Sequence, residues 1–259
     1  MSKGTKSKEP VIVSNIGDLN DQILQSEALQ THYFLRELHT NHYVVVRNFR
    51  ELHQFLQMAQ SPEAFPGLWA AGKRTELEQP MSEVTRLLLN FITAAAARTN
   101  SSRRMIKRRY KGQPFLDLYQ QVVDHRIKGK PVVGFVEDLR NYSLHYALPL
   151  AGAYWRYEQD PHTEASTHTQ SFTLRKEGLL SSGFEWSETK GQPYLTQADE
   201  NIHIQDFAVE YFVIIHNFQA WIEQTLHERH RNELEWLYNS SAEIKAALDK
   251  MRESWKPNN

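Results

Sequence analysis

The chain of 259 residues contains no cysteine, which removes disulfides, thiol nucleophiles, thiolate zinc sites and iron–sulfur clusters from the chemistry open to it. Glycine is scarce at 11 residues, and no G-x-G-x-x-G, Walker or G-x-S-x-G run occurs, so neither a phosphate-cradling loop nor a serine elbow is encoded. An excess of charge of either sign is missing as well. Lys plus Arg number 30 against 31 Asp plus Glu, a formal net charge of -1, so attraction for nucleic acid has to come from a local patch. No apolar run approaches the roughly 18 residues that a membrane span needs, and the opening MSKGTKSKEP lacks the apolar centre of a secretion signal. The expectation is a cytoplasmic protein with no membrane partner and no cofactor. In such a compartment the glycosylation-like triplets at Asn100, Asn141 and Asn239 carry no meaning.

What is present is material for a core. The chain is 40% hydrophobic, with 6 Trp, 11 Tyr and 12 Phe. After a disordered N-terminus over residues 1–12, residues 13–259 are expected to form one helical domain. Apolar positions at helical spacing (Ile16, Leu19, Ile23, Leu24, then Phe34, Leu35, Leu38) predict two helices over residues 16–59, broken near Thr40 and Asn41. PEAFPG at 62–67 has the composition of a loop. SEVTRLLLNFITAAAAR, from Ser82, predicts a serine cap followed by a long apolar helix. Pro114 and Pro131 each suit a first helical position, where the missing N–H costs nothing, and KGK at 128–130 is the turn between those helices. The register then changes. Alternating patterns with KG, SSG and QP turn signals predict two to four short strands over about 168–205, and the stripe from Asp206 predicts one or two closing helices to about Arg252. The fold class is therefore mainly all-α, a helical bundle with a small β insertion at about 165–205.

The helix opened by Pro131 carries an odd set of polar residues, RNYSLH at 140–145, close to the stop at Pro149. Its apolar stripe runs through Val132, Phe135, Val136, Leu139, Tyr142 or Ser143, and Tyr146. Asn141 and His145, four apart, share a face beside that stripe, so Asn141 can orient the imidazole or share its ligand. Arg140 lies roughly 140° around the helix from His145, so the two straddle a surface. A two-fold partner presenting the same helix converges two Arg/His sets on one cleft more easily than a single chain does. A last-turn histidine is also where the helix dipole favours the charged imidazole.

RNYSLH resembles the R-x(4–6)-H signature of the HEPN superfamily, including the polar residue that follows the arginine in many of its ribonucleases. The upstream helix LLLNFITAAAARTNSSRR and the lead-in FVEDL are similar to helices of bacterial HEPN-like proteins, and the resemblance covers about residues 80–155. It implies a HEPN-like helical bundle, a homodimer with a composite site, and metal-independent RNA cleavage by attack of a ribose 2′-hydroxyl on the adjacent phosphate, leaving a cyclic phosphate end. A toxin or antiviral defence effector fits that activity and leaves room for an inhibitory partner. The implied catalytic residues are Arg140, Asn141 and His145. His145 moves the proton, Arg140 stabilises charge on the phosphoryl oxygens, and Asn141 orients His145 or binds phosphate. The alternative within the same resemblance is a non-catalytic module that binds RNA or a partner. RNFRELH at 47–53 satisfies the same pattern with Arg47, Asn48 and His53. The segment at 140–145 is preferred because it follows a capped apolar helix and meets a proline stop, whereas Arg47 and His53 are six apart and project about 120° away from coinciding.

Between Ala94 and Phe115 there are seven basic residues, Arg98, Arg103, Arg104, Lys107, Arg108, Arg109 and Lys111, and no acidic one. Such a patch tracks an RNA backbone, with Tyr110 available for base stacking, or it is simply a solvated helix face. The candidate RNA-binding set is Arg103, Arg104, Lys107, Arg108, Arg109 and Tyr110. HERH places His227 and His230 three apart on a helix, but it has no obvious third ligand, so no metal site is expected. His162, His168 and His203 read as ordinary surface residues.

Overall fold

The computed structural model describes residues 9–61, 74–159 and 166–255. Its helices are α1 (Glu9–Gln25), α2 (Glu27–Gln60), α3 (Glu78–Arg109), α4 (Pro114–Arg126), α5 (Pro131–His145), α6 (Lys176–Leu180), α7 (Gly191–Gln197), α8 (Ile204–Arg229) and α9 (Arg231–Ser254). A 3-10 turn at Arg74–Leu77 leads into α3. Strands β1 (Gly152–Gln159), β2 (Ser166–Arg175) and β3 (Asn201–His203) form one antiparallel sheet in that order, with Trp155 opposite Gln170 and Leu174 opposite Ile202. The fold is mainly α with a small sheet, as expected. No described helix is long and apolar enough to cross a membrane.

The chain divides into two units, Met1–His39 with Ala220–Asn259, and Thr40–Gln219. In the first, α1 packs on α9, and Ile23, Ala28 and Leu237 form a small buried cluster. The second holds the main core. There Leu88, Phe91, Ile92 and Ala95 of α3 meet Phe135, Val136 and Leu139 of α5, with Phe207 and Tyr211 from α8 and Phe172 and Leu174 from β2. Phe135 is fully buried and packs edge-on to Phe207 at 5.3 Å. Burial of such a side chain is worth about 1.5–3 kcal/mol, which is what holds α5 in place.

Several boundaries differ from expectation for identifiable reasons. The break expected near Thr40 and Asn41 is absent: α2 runs through both, because the Asn41 amide finds a partner off its own helix, donating to Ser101 Oγ at 3.2 Å. The break falls at Ser26, whose Oγ accepts from Leu29 N at 3.1 Å and so caps α2. Ser82 is not a cap; α3 starts at Glu78, and the Ser82 hydroxyl donates back to Glu78 O at 2.9 Å. The sheet begins at Gly152, upstream of the expected 168, because AYWRYEQ places aromatics on both faces and blurs the two-residue alternation. The expected 62–67 loop, residues 1–8 of the expected disordered N-terminus and His162 lie outside the described residues. Residues 9–12 of that N-terminus lie in α1.

Candidate functional site

Pro131 opens α5 as expected, with no N–H to lose, and His145 closes it. The inner face buries Val132, Val133, Phe135, Val136, Leu139 and Tyr142, and with them one carboxylate, Asp138. A buried carboxylate needs donors. Asp138 Oδ2 accepts from Ser187 N at 2.9 Å and from Gly191 N at 3.0 Å, which ties the segment between α6 and α7 to the side of α5. Two glycines make the approach possible. A Cβ on Gly134 would stand 2.5 Å from the Lys190 carbonyl oxygen, and one on Gly191 would stand 2.7 Å from the Trp186 ring. Lys190, held between those contacts, brings Nζ to 2.9 Å from Glu137 Oε2. That hydrogen bond, and then the Coulomb attraction of Glu137, hold its ammonium above the ordinary lysine range.

A cleft of about 250 Å³ opens among α3, α5, α8 and this segment, and Asn100, Arg103, Glu137, Arg140, Asn141, Lys190 and Tyr211 help to line it. Three cations against one carboxylate leave it a formal surplus of two positive charges. Arg140 Nη1 donates to Asn141 Oδ1 at 3.1 Å. The buried Nε of Arg140 has no hydrogen-bond partner among the described residues, and an orphaned guanidinium N–H beside a basic cleft is a donor set for an anion. Tyr211 is buried, and the loss of hydration pushes its hydroxyl up to about 12, so this wall stays neutral through the physiological range.

The residues singled out from sequence divide. Arg140, Asn141 and Arg103 come together in the cleft; His145 does not line it and stands exposed on the last turn of α5. Among the described residues no hydrogen bond joins Asn141 to His145; the asparagine turns to Arg140 instead. Arg103, Arg104, Lys107 and Arg108 are exposed on α3 at spacings of three and four, which makes a continuous basic stripe. Arg109 is half-buried. Tyr110 is a correction: only 1% exposed and packed edge-on to Phe115 at 4.6 Å, it belongs to the core and cannot stack on a base. Arg98, from the same basic run, is also structural, being buried, bonded to Gln219 and placed 5.8 Å over the Phe218 ring.

In the twin segment Arg47 is exposed, Asn48 donates to Val44 O on its own helix at 2.8 Å, and His53 stacks on Phe49 at 5.5 Å. In HERH, His230 pairs with Glu233 at 3.0 Å and His227 is exposed; no group of three metal-ligating side chains occurs among the described residues. Sequence reasoning missed Glu137, Asp138 and Lys190. Asp138, an acid in line with the apolar stripe at Phe135 and Tyr142, was the available signal. Lys190 gave none, since only the fold brings it to α5. The chain matches no family model, no curated protein and no solved structure.

Proposed function

We propose that this protein binds RNA at the cleft between α3 and α5 and cleaves it without a metal, as a homodimer of the HEPN type. The observation that carries the reading is the convergence of Arg140 and Asn141, from the motif, with Arg103, from the basic run, on one cleft with a surplus of positive charge. Arg103 and Arg140, 37 positions apart in sequence, line one cleft, an arrangement that suits a phosphodiester. Arg103, Arg104, Lys107 and Arg108 extend the positive track along α3.

In this reading Arg140 holds the phosphoryl oxygens, Asn141 keeps the guanidinium in place, and His145 transfers the proton from the ribose 2′-hydroxyl or to the leaving 5′-oxygen. His145 is supplied to the cleft by the second copy. The surface around it suits such a contact: Leu144, Tyr146, Leu148 and Leu150 are 48%, 52%, 53% and 72% exposed, an apolar patch next to the histidine. A second reading, a non-catalytic RNA-binding module, draws on the separation of His145 from the cleft within one chain.

Subunit complementation separates the two. Arg140→Ala and His145→Ala are each expected to be inactive, but a mixture of the two, allowed to exchange subunits, regains about a quarter of wild-type cleavage, because half the dimers are mixed and each mixed dimer has one intact site of two. Two inactive variants whose mixture stays inactive refute the composite site, and a folded wild type that binds RNA without cutting it establishes the binding module.

A further inference from the structure

The cleft contains one group that phosphate binding does not use. Glu137 sets a carboxylate among Arg103, Arg140 and Lys190. A carboxylate only accepts hydrogen bonds, and a phosphodiester, which has no donor, offers it nothing but repulsion. Its position is nevertheless fixed. Lys190 Nζ engages Oε2 at 2.9 Å, leaving Oε1 open, and Glu137 is about half exposed, so that oxygen is within a ligand's reach. Lys190 is itself set by its backbone, which packs on Gly134 and is followed by Gly191, whose N–H is held by Asp138.

A ligand complementary to this arrangement must present an anion to Arg103 and Arg140 and a hydrogen-bond donor one helical turn away along α5, where Glu137 lies. A ribose 2′-hydroxyl beside its phosphodiester has that pairing, and a deoxyribose lacks the donor. Resting on the reading of the cleft as a phosphodiester site, we infer that Glu137 is a specificity-determining residue that accepts a hydrogen bond from a ribose 2′-hydroxyl, with Lys190 as its positioning residue, so that the cleft selects RNA over DNA.

The test is the affinity of the full chain, in a His145→Ala background that leaves RNA intact, for matched single strands of RNA, DNA and 2′-O-methyl RNA. The parent binds RNA about ten- to hundredfold tighter than the other two, the size expected of one hydrogen bond to a charged acceptor. Glu137→Ala binds DNA and 2′-O-methyl RNA more tightly, through lost repulsion, and its preference shrinks to within about twofold; Glu137→Gln also loses the preference over 2′-O-methyl RNA, because Lys190, a donor only, takes the amide oxygen and leaves the NH2 facing the ligand. Lys190→Ala loses both affinity and preference. A preference untouched by Glu137→Ala, equal binding of RNA and DNA by the parent, or 2′-O-methyl RNA behaving as RNA overturns the inference and leaves the phosphodiester site standing. A folded parent that binds no strand at all overturns both.

Discussion

Arg47 and Arg140 each precede an asparagine and stand six and five residues ahead of a histidine, yet their surroundings share almost nothing. Arg47 is exposed, its Asn48 is spent on the preceding turn of the same helix, and its His53 lies flat against Phe49. Arg140 is half-buried with an orphaned Nε, bonded to Asn141, and set in a cleft with two further cations brought by α3 and by the segment ahead of α7. The letters of the motif therefore specify less than the elements that meet them. A guanidinium holds a phosphate well where other donors converge and water is partly excluded, and Arg140 has such neighbours in Arg103 and Lys190.

The largest difference between the two segments is expected at their histidines. His145→Ala is expected to lower RNA cleavage by about 10²- to 10⁴-fold with binding nearly unchanged, the loss typical of a general acid or base. His53→Ala should leave cleavage alone and cost only about 1 kcal/mol of stability from its ring contact, measured by denaturant unfolding. The arginines come next. Arg140→Ala should reduce cleavage by about 10²- to 10³-fold and lessen the salt dependence of RNA binding, while Arg47→Ala changes neither.

Smaller effects test the scaffold of each segment. Asp138→Ala leaves the Ser187 and Gly191 N–H groups without their acceptor, and about 2–4 kcal/mol of stability should go with it, along with the placement of Lys190. Asn48→Ala, which removes a bond to its own exposed helix, should fall within about 0.5 kcal/mol. The last effect is alkaline. Burial pushes the Tyr211 hydroxyl up to about 12 in the folded chain, above the ordinary tyrosine value of about 10, so the unfolded chain gives up its proton first. The unfolded state then binds fewer protons, and stability present below pH 10 is lost between pH 10 and 12, at up to about 1.4 kcal/mol per pH unit. Tyr211→Phe should flatten that part of the pH–stability curve.

Much of the fold could be read from local chemistry. The prolines at 114 and 131 and the stripes of α3, α5 and α8 announce their helices, because period and first-turn tolerance are local properties. Where the reading failed, a distant partner decided. Asn41 has the composition of a breaker, but Ser101 of α3 takes its amide; Tyr110 has the chemistry of a stacking residue, but Phe115 covers it. The site followed the same rule. Arg140, Asn141 and Arg103 could be singled out in advance, since each sits in a locally unusual run. Lys190 could not, because its neighbour Gly191 is tied to Asp138 across 53 residues of chain, and no local pattern reports a contact of that span.

The claim that ties these observations together is that Arg140, and not its twin Arg47, holds the RNA phosphate during cleavage. Single-turnover cleavage of a single-stranded RNA, with chelator present, by wild type, Arg140→Ala and Arg47→Ala tests it most directly. A cyclic phosphate product is expected to form equally with wild type and Arg47→Ala and at least about 10²-fold more slowly with Arg140→Ala. Equal rates for wild type and Arg140→Ala, or no cleavage by a folded, dimeric wild type, would contradict it.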